Sequence, residues 1–352
     1  MRRKSPLNVA VVGAGAIGLN HIQSFQAHPS ARVVALAETS PERGREAASE
    51  FGVPDVYTDY KDLLGRSDID IVSIALPNFL HAPVGLDVLR AGKHLMIDKP
   101  MATSATDAAR IIALAKRRKL HLMVGQNMRF TPETQTIKRL VEKGRLGEVY
   151  HAKAKWMRRS GIPKIGTWFT QKALAGGGCT YDIGVHALDL ALHLMDDFEA
   201  ASVSGQTFTK FGNRGLGEGG WGKSERDPGK AFDVDDMSMA LIKMKSGRTV
   251  LLEATWAVHQ PMRDEHGVQL FGTDGGANTS PAQFYRQTKT GYVVEELKTS
   301  ASILIDNRMA NFVDVVLGKA EPYVKPEQSL AVQKILDAIY KSSETGREVR
   351  IR

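Results

Sequence analysis

The chain has 352 residues, enough for two domains with separate cores. Hydrophobic residues make up 42% and charged residues 24%, which excludes a disordered chain, and no apolar run reaches membrane-spanning length. The formal net charge of +8 invites a nucleic-acid reading, but Arg2-Arg3-Lys4, Lys116–Lys119 and Arg158-Arg159 are short, far apart and outside any recognised binding module. No nucleic-acid or membrane partner is expected, although the excess charge would attract anionic sugars or phosphates. Cys179 stands alone, which excludes intramolecular disulfides and cysteine-cluster zinc sites. With no apolar leader segment between Met1 and the first strand, the expected location is the cytoplasm.

The first element is a buried parallel strand, Val9–Val12, that breaks into Gly13-Ala-Gly15-Ala16-Ile17-Gly18 and continues as a helix carrying Ile22 and Phe25. Such a turn brings backbone N–H groups and the positive end of a helix dipole to a pyrophosphate. A second strand, Val33–Ala37, ends on Glu38, twenty positions after Gly18. A carboxylate there binds the ribose diol of NAD and repels a 2′-phosphate, so NAD is the expected cofactor, while Arg43 leaves NADP open.

Strand and helix patterns then alternate to about residue 127: a helix from Pro41, Val56–Tyr57, Ile69–Ala75, a helix from His81, His94–Ile97, a helix from Ser104, and His121–Gly125. This is a doubly wound α/β Rossmann domain, assigned to residues 1–127. Ligands bind beyond the carboxyl ends of such strands, which places Pro77, Asn78, His81, Lys99 and Gln126 on the cofactor rim.

From 128 the pattern changes. After a helix over Glu133–Lys143 come strand candidates at Val149–Met157, Ala200–Phe208, Met237–Met244, Arg248–Val258, Gly267–Phe271 and Gly291–Leu297. Helices are expected near Asp182 and at the C-terminus, where Leu330, Ile335, Leu336 and Ile339 form an apolar face. Residues 128–352 therefore read as an α+β domain with a large, mainly antiparallel open sheet. Its uncovered face predicts a homodimer or homotetramer. Between Lys210 and Phe232, seven glycines with Trp221, Arg226 and Pro228 form a segment too long for a simple connection: disordered, an intersubunit arm or a lid.

Three residues carry chemistry. Lys99 follows a strand ending at the cofactor rim, and Asp182 and His186, four apart, share a helix face. Oxidising a secondary alcohol requires removal of its proton as hydride leaves the same carbon. Histidine suits that task near neutral pH, lysine stabilises alkoxide character, and Asp182 orients the imidazole or binds a neighbouring hydroxyl. Each residue also has an ordinary surface role open to it. Arg129, Arg158 and Trp168 are candidate sugar contacts. Trp156 and Trp256 read as sheet packing, and His21 as a structural hydrogen bond. Asp182, His186, Asp189 and His193 are acceptable ligand types for a metal, but hydride transfer needs none and no metal is expected, with Asp189 and His193 read as core hydrogen-bonding groups.

The glycine run followed by His21, together with Leu76-Pro77-Asn78-Phe-Leu-His81, Asp98-Lys99-Pro100, Asn127-Met-Arg129-Phe130 and Gly176-Gly-Gly-x-x-x-Asp182-x-Gly-x-His186-x-x-Asp189, resembles the Gfo/Idh/MocA oxidoreductases. These motifs span the chain in order. The resemblance implies a Rossmann domain plus an open-sheet domain, NAD(P), and oxidoreduction of a sugar or cyclitol, with Lys99 as catalytic lysine and Asp182 and His186 as the acid and histidine pair. The family more often has Glu where this chain has Asp98. The expected activity is hydride transfer between a ring hydroxyl of a sugar, glycoside or cyclitol and nicotinamide. A hydrolase or lyase that keeps NAD bound and oxidises its sugar transiently is the alternative, followed by a non-catalytic nucleotide-bound regulator.

Overall fold

The computed structural model describes residues 6–220, 226–227, 229, 232–299 and 307–351. Trp221 and Pro228 of the glycine-rich segment lie outside them. Two compact units form, one from residues 6–126 with 307–330, the other from most of 127–299 with 331–351.

In the first unit β1 (Leu7–Val12), α1 (Ala16–Gln26), β2 (Ala31–Ala37), α2 (Pro41–Phe51), β3 (Asp55–Tyr57), α3 (Tyr60–Leu64), β4 (Ile71–Ile74), α4 (Asn78–Arg90), β5 (His94–Ile97), α5 (Ala105–Arg118) and β6 (Leu122–Val124) alternate along the chain. All six strands pair in parallel in the order β3-β2-β1-β4-β5-β6. The order reverses between β1 and β4, and a doubly wound sheet opens its ligand crevice at such a switch. The strands are apolar on both faces because helices cover both. Local chemistry sets the helix ends. Ser40 caps α2 through the Arg43 N–H with Pro41 as first helical residue, and Ser104 caps α5, whose last turn carries Lys116, Arg117 and Arg118. α1 differs, since Gly15 makes no side-chain cap and no acid stands in its first turn, so none of its own side chains offsets the positive end of its dipole.

The second unit contains α6 (Pro132–Glu142), β7 (Val149–Arg158), α7 (Lys172–Ala175), a wide helical turn at Thr180–Gly184, α8 (Val185–Met195), β8 (Ala200–Phe208), β9 (Met237–Met244), β10 (Thr249–Thr255), β11 (Asp264–Gly272), β12 (Gly276–Thr279), β13 (Ala282–Thr288) and β14 (Gly291–Glu296). α9 (Arg308–Val316) belongs to the first unit. α10 (Pro326–Thr345) follows, and β15 (Val349–Arg350) closes the chain. Nine strands run in the order β14-β13-β12-β11-β7-β10-β9-β8-β15, antiparallel except for the β7–β10 pair. Ser238, Ala240, Ile242 and Met244 of β9 point into a core shared with α8 and α10, while Met239, Leu241 and Lys243 alternate outward. One face is thus packed by helices and the other is open.

Two expectations are revised. The single cut at 127 assigns residues 307–330 to the second domain, but α9 packs against α1 in the first. The strands β12 and β13 escape the sequence reading because Gly276–Thr288 is rich in Thr, Asn and Gln and lacks an apolar alternation.

Candidate active site

At the mouth of β1, two glycines are required by the protein itself. A Cβ on Gly13, whose φ is +100°, would lie 2.3 Å from the Ala75 carbonyl oxygen, and one on Gly18 would lie 1.9 Å from that of Gly13. Gly15 differs: a Cβ there meets nothing within 4 Å, so that opening admits a ligand backbone or phosphate. Ala16 and Ile17 form the first turn of α1 beside it, and Ile17 leaves nearly half its surface exposed. Glu38 closes the other side. One carboxylate oxygen accepts the Ala14 N–H at 2.8 Å, the other accepts Ser40 N–H and the Arg43 guanidinium at 2.6 Å. Burial alone would raise this carboxyl, but the Arg43 hydrogen bond, the two N–H groups and the Arg43 charge hold it at about 2. Further along the rim, Pro77 precedes α4, Asn78 opens it, and the Gln126 side-chain oxygen is buried with no hydrogen-bond partner among the described residues. An open glycine, an uncapped helix and an orphaned amide oxygen fit a bound dinucleotide.

Lys99 leaves the end of β5 in a partly buried position. The residue before it is anchored from three sides. One Asp98 carboxylate oxygen lies 3.8 Å from His21 Nε2 and 3.8 Å from the Arg308 guanidinium, and the Asp98 backbone N–H donates to the Ile74 carbonyl. Although burial raises the Asp98 carboxyl, His21, Arg308 and Lys99 bring it well below the ordinary carboxylate range. Burial lowers His21 in turn, and its Nδ1 lies 2.9 Å from the Ser73 hydroxyl. His81 is buried with Nδ1 2.7 Å from the Pro100 carbonyl and Nε2 2.8 Å from that of Leu76. Burial lowers the His81 pKa, so the neutral ring donates to one of these two carbonyls and rests against the other, joining the loops after β4 and β5.

In the second unit, Asp182 sits within the wide turn Thr180–Gly184 and His186 on the first turn of α8. The entry to that turn is held by Asp235. Its carboxylate accepts the Gly178 N–H at 2.7 Å, the Thr180 N–H at 3.0 Å and hydroxyl at 2.7 Å, the Cys179 thiol, and the Tyr340 hydroxyl. A Cβ on Gly178 would lie 1.9 Å from the Asp235 carbonyl, which explains a glycine before the acid and histidine. The Trp256 indole N–H donates to Asp182 at 2.9 Å. His186 rests against Trp156, ring centroids 5.5 Å apart, and Trp156 stacks on His266 at 4.8 Å. The unit thus presents an oriented carboxylate and an imidazole one helical turn apart.

Residues 7–126 match the oxidoreductase family with the NAD-binding Rossmann fold, and residues 134–278 match the GFO/IDH/MocA C-terminal domain. The chain is 31% identical over 355 residues to D-glucoside 3-dehydrogenase of Escherichia coli K12, covering 99% of this chain and 98% of that protein. The chain belongs to the Gfo/Idh/MocA oxidoreductases. It is also 30% identical to levoglucosan dehydrogenase of Pseudarthrobacter phenanthrenivorans over 76% of this chain and 72% of the relative. The fold of levoglucosan dehydrogenase in complex with NADH superimposes with a TM-score of 0.86 at 23% identity, over 98% of this chain and 99% of the other. The first unit of this Gfo/Idh/MocA chain is thus an NAD-binding Rossmann domain.

Arg129 is corrected by its surroundings. It is fully buried and grips Asp189 through two nitrogens at 2.6 and 2.8 Å, so it braces α8 rather than meeting a substrate. Arg158 lies over the Trp156 ring at 5.1 Å and pairs with Asp264 at 3.2 Å, and Trp168 stacks on Phe169. Among the described residues no three His, Cys, Asp or Glu side chains converge as a metal site would require, and no helix is long and apolar enough to cross a membrane. Trp256 does pack in the sheet, but its indole also fixes Asp182. Asp235 was missed altogether, although the run Asp233-Val-Asp235-Asp236 ahead of a strand is an unusual concentration of carboxylates that signals a backbone anchor.

Proposed function

We propose that this chain is an NAD-dependent dehydrogenase acting on a ring hydroxyl of a sugar, glycoside or cyclitol, a CH–OH donor. The observation that carries this reading is the full-length similarity to a D-glucoside 3-dehydrogenase. The chemistry of Lys99 at the end of β5, and of Asp182 and His186 one helical turn apart, supports it. Bound NAD supplies the hydride acceptor, held by Gly13, Gly15, Gly18, Glu38, Asn78 and Gln126. His186 takes the hydroxyl proton, and Lys99 donates a hydrogen bond to the same oxygen as it gains alkoxide character. Asp182, its carboxylate fixed by Trp256, binds an adjacent hydroxyl or steadies the imidazole. Arg158 and Trp168 contribute to sugar binding. The outward Met239 and Leu241 of β9 support association into a homodimer or homotetramer, which light scattering after gel filtration tests.

His186→Ala and Lys99→Met are each expected to lower kcat about 10²- to 10⁴-fold. NADH titrated by fluorescence is expected to bind both variants as it does the parent. Full turnover in either variant would overturn the assignment of its residue.

A further inference from the structure

The second unit holds a cavity of about 470 Å³ that none of the proposed roles uses. Its position ties it to His186. Leu190, one turn further along the same face of α8, lines it, and so does His266, which reaches the His186 ring through the intervening Trp156. Its volume falls in the range of small-ligand sites. Glu133 and Glu296 supply carboxylates, Thr131 and Ser280 supply hydroxyls, His266 supplies an imidazole, and among the described residues no Lys or Arg lines it, although the chain as a whole carries +8.

We propose that this cavity is a second carbohydrate subsite, which takes the group attached to the ring undergoing oxidation and favours a neutral or ammonium-bearing group over an anionic one. The inference rests on the sugar reading above and deepens it: the substrate is a glycoside whose second unit lies beyond the Trp156 indole that separates the His186 and His266 rings. Two carboxylates with no Lys or Arg beside them among the described lining residues repel a uronate or phosphate and attract an amine, while hydroxyl and carboxylate oxygens accept hydrogen bonds from sugar hydroxyls.

The test compares kcat/KM for methyl glucoside with that for glucosyl-, glucosaminyl- and glucuronosyl-glucose under saturating NAD. The neutral and amino disaccharides are expected to exceed methyl glucoside by about tenfold and the glucuronosyl compound to fall below it. In Ser280→Trp, which fills the cavity, the ratio of disaccharide to methyl glucoside kcat/KM is expected to fall about tenfold, mostly through KM. Equal kcat/KM for all four compounds, preference for the uronate, or an unchanged ratio in Ser280→Trp would overturn the subsite. If no sugar is oxidised, the sugar reading itself fails, and the cavity is read separately by the His266 ring resonances. A shift on adding glucosamine but not glucuronate supports the cavity's charge preference, and no shift contradicts it.

Discussion

Glu38 illustrates how one carboxylate proposed to meet the cofactor also holds the fold. Its oxygens tie the glycine turn to the start of α2, and its folded pKa of about 2 lies below the ordinary 4.5. A group whose pKa is depressed on folding adds stability above its unfolded pKa and loses it as pH falls through the folded one. Glu38→Gln is therefore expected to be less stable than the parent at neutral pH, with the gap closing between about pH 4.5 and 2, as urea titrations across that range would show. Arg129 offers the opposite lesson. From sequence, a lone arginine beside a cleft motif reads as a substrate contact, because nothing local reveals that a carboxylate sixty residues later will bury it. Arg129→Leu strands Asp189 in the core, and a loss of about 3–5 kcal/mol in urea unfolding is expected. A change of less than about 1 kcal/mol would show that the pair is not a structural brace.

Among the elements, the parallel strands and their helices were readable because their signals are local: unbroken Val, Ile and Leu runs, Ser caps, a Pro at the first turn and cations at the last. The glycine turn and the acid that ends β2 were equally plain, and the structure joins them through the Ala14 N–H. What escaped is whatever depends on distant partners. The wide turn Thr180–Gly184 is set by Asp235, Tyr340 and Trp256, which come from three separate later segments, so only an ordinary helix was visible near Asp182. The same geometry makes the turn sensitive. Gly178→Ala forces a methyl group against the Asp235 backbone, so kcat is expected to drop at least tenfold while NADH affinity stays at the parent value. Trp256→Phe removes only the indole donor, and its expected loss of about 1–3 kcal/mol in folding stability separates packing from orientation of Asp182 when compared with its kcat.

At the scale of the whole molecule, two units divide the labour. The first carries the dinucleotide fingerprint and Lys99, and takes back α9, whose Arg308 reaches the Asp98 carboxylate. A return of this kind has no sequence signature, because an amphipathic helix states that it packs but not where. The second unit carries the acid and histidine pair on a helix-backed sheet. Overall positive charge, which first suggested a polyanionic partner, coexists with a carboxylate-lined cavity next to the Trp156 and His266 stack. Net charge therefore describes solubility and long-range attraction rather than what a site selects. The decisive measurement is to incubate the intact protein with NAD and a panel of glycosides, free sugars and cyclitols while following nicotinamide reduction and carbonyl product together. NADH accumulating in equal amounts with a ring ketone, and lost in His186→Ala, is the predicted result. Product without NADH would point to transient oxidation by retained cofactor, and no reaction with any polyol would contradict the account.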